Sequence, residues 1–189
     1  MKKKILIFGH LTAHINPDQV DNFVNLLEKI MNDAIIIDLR LKVISMYIQA
    51  AVISKVINTD ESEKKFVETY NIAPPSFWIH LTSTSEQATE ICTRKMLEDT
   101  QPSAAICVGG YGNESQYIWK KADEGNIPII GLSLDGGFGM EIYKRSMKDP
   151  DKYFSTAVAK HGDSFIELLT ELQSDLTVLP QLVKMVLDS

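Results

Sequence analysis

The sequence predicts an α/β fold: an open, mainly parallel, Rossmann-like sheet with helices on both faces. Three observations carry this. Short apolar runs of strand length alternate with segments of helical periodicity. The runs are apolar throughout, as in strands covered on both faces. Glycines follow several of them, where a chain turns from strand into helix. The chain has 189 residues, 44% hydrophobic and 23% charged, which fits one folded domain (1–189) and excludes a disordered chain.

Lys4-Ile5-Leu6-Ile7-Phe8 reads as the first strand, ended by Gly9. Asn16-Pro17-Asp18 supplies a cap, a first-position proline and a first-turn acid. The helix it opens carries Val20, Phe23, Val24, Leu27, Ile30 and Met31 on one face. Ala34 to Ile37 is a second buried strand ending at Asp38, which completes a βαβ unit. Val43 to Ile57 reads as an apolar helix and Asp60 to Tyr70 as a charged, solvated one, stopped by Ala73-Pro74-Pro75. Phe77 to Leu81 is a third strand. Ser83 with Glu86, or Thr84 with Gln87, forms a capping box opening a helix through about Leu97.

Ala104 to Val108 is the clearest strand, followed by Gly109-Gly110-Tyr111-Gly112. Asn113 with Gln116 caps the next helix, which Gly125 ends. Ile127 to Leu132 is another strand, and Asp135 to Gly139 a second glycine loop. Phe154 to Val158 reads as a last strand, Ser164 to Leu172 as a helix, and Pro180 opens a short one. There is no internal repeat and no linker.

Lys+Arg 19 against Asp+Glu 25 gives −6, so a basic footprint for nucleic acid or anionic membrane is absent. No apolar stretch approaches the roughly 20 residues of a membrane span. Met1-Lys2-Lys3-Lys4 runs straight into a strand, unlike a signal peptide. Two cysteines, Cys92 and Cys107, neither staple the fold nor match a metal spacing. A reducing, cytoplasmic setting is the expectation, with no metal or other cofactor implied.

In open α/β sheets, ligands bind beyond the carboxyl ends of the strands. The segments there are rich in glycine, hydroxyls and amide. Such a loop suits a phosphate or ribose, because backbone N–H groups stand unshielded at a helix N-terminus. Gly109, Gly110, Gly112 and Asn113 are candidates to hold phosphate through the main chain, with Tyr111 placed to stack on a base. Thr82, Ser83 and Thr84 would flank it with hydroxyls, although capping their helix explains two of the three. Gly9, His10, Thr12 and Asp135 would close the pocket; Asp135 also suits an ordinary turn. The Gly109 loop is neither a G-x-G-x-x-G fingerprint nor a Walker A loop, and a tight turn alone is its plain alternative. No Ser-His-Asp set can be assembled, and Trp119 shares a helical face with Ile118 and Ala122 that reads as core.

Gly109-Gly110-Tyr111-Gly112, with Arg94-Lys95 on the preceding helix, resembles the LOG-like (lysine-decarboxylase-like) phosphoribohydrolases of the SLOG superfamily. These carry an R-K pair and then a P-G-G-x-G-T-x-x-E motif. Pro128 to Leu132 with Asp135-Gly136 is similar to the strand and D-G turn that follow there. The likeness runs from Arg94 to Gly137, about a quarter of the chain. Val108 stands for the motif's proline, Asn113 for its threonine, and Gln116 for its catalytic glutamate. Gly9-His10 stands where the family has a glycine-serine turn. The resemblance implies a homodimeric Rossmann-like protein that binds a nucleotide or NAD-derived molecule and cleaves its N-glycosidic bond. Arg94 would clamp the ligand and Glu114, two residues before Gln116, would be the remaining acid. A binding module that senses such a molecule without chemistry is the alternative that Gln116 implies, since a glutamine accepts no proton. Read without the resemblance, Glu114 is a first-turn acid favoured by the helix dipole, and Arg94 a surface arginine balancing Glu90 and Glu98.

Overall fold

The computed structural model describes residues 2–10, 17–40, 42–59, 65–70, 85–110, 113–132, 134 and 136–189. Five strands form one all-parallel sheet in the order β3-β2-β1-β4-β5: β1 Lys3–His10, β2 Ala34–Asp38, β3 Val67–Thr69, β4 Ala104–Gly109 and β5 Ile129–Leu132. The helices are α1 Pro17–Asp33, α2 Lys42–Thr59, α3 Ser85–Thr100, α4 Asn113–Glu124, α5 Gly137–Lys148, α6 Pro150–Tyr153, α7 Ser155–His161, α8 Asp163–Glu171 and α9 Leu179–Asp188.

The period of two along each strand sorts the core into two layers. Ile5, Ile7, Ile36, Ile106 and Val108 pack with α1, α2, α8 and α9 on one face. Leu6, Phe8, Ile37, Ala105 and Cys107 pack with α3 and α4 on the other. Removing one such Ile, Leu or Phe from water stabilises the fold by about 1.5–3 kcal/mol, so this double layer dominates over the polar contacts. Helix α5 joins the two, with Tyr143 in the first cluster and Ile142 in the second. Among the described residues no helix is long and apolar enough to cross a membrane.

The fold departs from the sequence reading at four places. Of the stretch read as a helix over Asp60 to Tyr70, the described part is extended: Val67–Thr69 is the edge strand β3, paired in parallel with β2. The Ile36 N–H donates to the Phe66 carbonyl at 2.9 Å and the Tyr70 N–H to Asp38 at 2.8 Å. The charges that suggested a solvated helix serve the sheet edge instead, where Glu68 meets Lys4 at 2.9 Å. The Lys4 ammonium, with Lys65 beyond it, holds the Glu68 carboxyl below its ordinary range. The Tyr70 hydroxyl donates to Asp99 at 2.9 Å and ties the strand to α3; burial, then the Asp99 charge, pushes it up to about 12.

Phe154 to Val158 is not a strand. Phe154 is the buried junction of α6 and α7, tilted against Phe165 with ring centroids 5.2 Å apart. Local punctuation outweighs the β-branched residues: Asp149 caps α6 by accepting from the Lys152 N–H at 3.2 Å, and Gly162 at φ 55° ends α7. The left-handed residue after α4 is Asn126 at φ 55° rather than Gly125. The Ile127 N–H reaches back to Ala122 at 2.9 Å and that of Asn126 to Asp123 at 3.1 Å, the two bonds of a Schellman cap. Helix α5 starts inside the second glycine loop and extends to Lys148, a stretch the sequence left unassigned. The strand read over Phe77 to Leu81 lies outside the described residues.

Candidate functional site

The strand order places a topological switch point between β1 and β4. The chain leaves β1 to build β2 and β3 on one side, then returns to lay β4 and β5 on the other. At such a point the connections diverge and open a crevice at the carboxyl ends, where open α/β proteins bind ligands. Gly9-His10 ends β1 and Gly109-Gly110 ends β4, with His10 aligned to Gly109 and Gly9 to Val108. Four of the sequence candidates therefore meet at this crevice.

Backbone geometry there is tight. Gly9 has φ 121°, and a side-chain carbon on it would overlap the Val108 carbonyl. The Gly110 N–H donates to the His10 carbonyl at 3.0 Å, and the Gly110 carbonyl accepts from the Phe138 N–H at 2.9 Å. A side chain at Gly137 would likewise strike the Gly110 carbonyl. The double glycine thus bolts the ends of β1 and β4 to the start of α5. This alters one expectation: the Gly110 amide is spent inside the protein and is no phosphate donor. The other donors at this end belong to the first turn of α4, whose N–H groups have no partner within the helix.

Other candidates divide by position. Glu114 is the second residue of α4, and Asn113 its first, so both stand at the crevice end of that helix. Gln116 is exposed. The side chain of Ser115 is buried against Gly110. His10 is exposed at the strand end. Arg94 is not brought to the bend. It lies nine residues into α3, about 14 Å along the axis from the helix N-terminus. There its exposed guanidinium is 4.0 Å from Glu98, while Glu90 is taken by Lys121 at 3.0 Å. Thr12, Thr82, Ser83, Thr84, Tyr111, Gly112 and Asp135 lie outside the described residues.

Cys107 lies beneath the bend. Its thiol, fully buried and 3.6 Å from the Gly109 carbonyl, is pushed far above its ordinary range by burial and is no nucleophile. Trp119 is half-buried, packed on the second core layer with Phe138 5.6 Å away.

Sequence reasoning noted Asp38 only as a strand end. It is 3% exposed and accepts three hydrogen bonds: from the Arg40 N–H at 2.9 Å, the Ser45 hydroxyl at 2.5 Å and the Gln49 amide at 3.4 Å. An acid at the end of the second strand is where dinucleotide-binding sheets grip a ribose. Here the carboxylate is occupied by its own chain and staples β2 to the first turns of α2. The signal available in the sequence was an aspartate followed at helical spacing by Ser45 and Gln49.

No protein-family model matches the chain, and no curated protein matches it.

Proposed function

We propose that the protein binds a nucleotide or NAD-derived ligand in the crevice between β1 and β4 and hydrolyses its N-glycosidic bond. The observation that carries this reading is the switch point itself, flanked by the α4 N-terminus and by the glycine bend at the ends of β1 and β4. The first-turn amides of α4 would receive phosphate. Glu114, in the same turn, would stabilise the cationic sugar or attack it, so that water completes the cleavage. The SLOG-type motif from Val108 to Gln116 supports the same reading. A second reading, a sensor that binds and does no chemistry, is favoured by the exposed glutamine at position 116.

ADP-ribose, AMP and NAD separate these readings. Binding of any of them at a hundredfold excess over its Kd raises stability by about 2.7 kcal/mol, read as a rise in Tm. Release of free base, followed by chromatography and lost at least about 100-fold in Glu114→Gln while the Tm shift remains, supports the hydrolase. A Tm shift without base release supports the sensor. No shift with any of the three removes the nucleotide reading.

The proposed homodimer rests on α2. From Val43 to Asn58 its one charged residue is Lys55, which is buried. Met46, Ile53 and Ile57 recur on one face and are 68%, 59% and 76% exposed. A helix apolar on both faces calls for a partner on the outer one, and an isologous pairing of α2 with its copy supplies it. Ile53→Glu is expected to convert a dimer to a monomer in light scattering without changing the circular dichroism spectrum. A wild-type monomer at about 100 μM, well above a micromolar Kd, would refute the pairing.

A further inference from the structure

At the opposite end of the sheet, a cavity of about 420 Å³ opens at the amino-terminal end of β5, within the size range of small-molecule sites. Its floor includes the buried Ile129, Ile142 and Phe154. One wall, from α5 and α6, carries Arg145 and Lys152; the other, from the end of α4, carries Asp123 and Asn126.

The two walls carry opposite charge and do not neutralise each other. Arg145 is fixed: its guanidinium lies 4.5 Å from the Trp119 ring centroid, and Nη2 donates to Glu141 at 2.6 Å. Glu141 thereby offsets much of the Arg145 charge. Lys152 places its ammonium 5.1 Å from the Tyr153 ring centroid and, among the described residues, has no carboxylate partner. Asp123 has no cation partner among them either. Among the described residues, an acid and a base without ionic partners therefore line one cavity from separate elements, together with the rings of Trp119, Tyr153 and Phe154. The Schellman cap holds Asp123 and Asn126 in place, and the Asp149 cap holds Lys152.

We infer that this cavity is a binding site for an aromatic zwitterion of the amino-acid class, independent of the crevice at the other end. The ligand's carboxylate meets Lys152 and the free donors of Arg145. Its ammonium meets Asp123 and the side-chain carbonyl of Asn126, and its ring covers the apolar floor. Both charges of the ligand, carried on one carbon, are required, because a simple ion of either sign also meets a group of like charge in the cavity.

Calorimetry with L-phenylalanine, 3-phenylpropionate and phenethylamine tests this. L-Phenylalanine is expected to bind, with each singly charged analogue weaker by about tenfold or more. Lys152→Gln and Asp123→Asn, both at exposed positions, are each expected to weaken L-phenylalanine about tenfold and to leave the protein's Tm unchanged. Absence of saturable binding up to about 10 mM on folded protein overturns the proposal. Equal binding of the three probes, or binding indifferent to both substitutions, overturns it as well.

Discussion

Gly9→Ala is expected to destabilise the protein by about 2–6 kcal/mol, a large share of the roughly 5–15 kcal/mol that holds a domain folded. Two effects add. Gly9 has φ 121°, a backbone conformation that costs an alanine about 1–3 kcal/mol. The new methyl group would also sit inside the contact distance of the Val108 carbonyl, in the middle of the central strand pair. That backbone cannot move aside without breaking the β1–β4 ladder, so overpacking adds about 1–3 kcal/mol. Urea unfolding followed by circular dichroism measures the loss. Gly162→Ala is the control: Gly162 also has positive φ, at 55°, but nothing lies within 4 Å of a side-chain carbon there. Its expected loss is about 1–3 kcal/mol, from the backbone conformation alone, with no overpacking added. Equal losses at the two glycines would show that the β1–β4 crossing is looser than described.

Asp38→Ala is expected to cost about 2–3 kcal/mol and to leave the proposed nucleotide binding in place. The substitution removes the buried acceptor of the Arg40 N–H and of the half-buried Ser45 hydroxyl. Each orphaned donor costs about 1–3 kcal/mol, and bonds to a charged acceptor are worth more than neutral ones. Ser45→Ala removes one partner and leaves Asp38 its other two, so its loss should be about 1 kcal/mol. In the double variant the losses should fall short of additivity by about 0.5–1 kcal/mol, because the two residues share one bond. Denaturant midpoints of the four proteins close the cycle. If Asp38→Ala retained full stability and instead abolished ligand-induced stabilisation, Asp38 would be a ribose-binding acid and not a staple.

Both predictions concern residues whose importance was only partly legible in the chain. Gly9 announced itself as the end of an apolar run, and its place at the crevice followed from the rule for open sheets. That it must be glycine depends on Val108, a residue nearly a hundred positions away. Asp38 looked like the punctuation of a strand, and its bonds to Ser45 and Gln49 appeared only once α2 had folded back beside it. Gly110 shows the same limit from the other side. A glycine-rich loop before a helix suggests free amides, yet the His10 carbonyl had already claimed this one.

By itself, the sequence determined the fold class and the elements with strong local signals: β1, β2, β4 and β5 as apolar runs, α1 by its periodicity, and α4 by its position after the glycines. These follow from burial and capping, which act within a few residues of the chain. The tertiary structure decided β3, because an edge strand takes its form from the neighbour that bonds it, whereas α7 follows from local caps that its β-branched residues obscured. It also decided which glycines touch, which amides are spent and where opposite charges stand unpaired. Those depend on elements distant in the chain meeting in space, and local propensity carries no record of that.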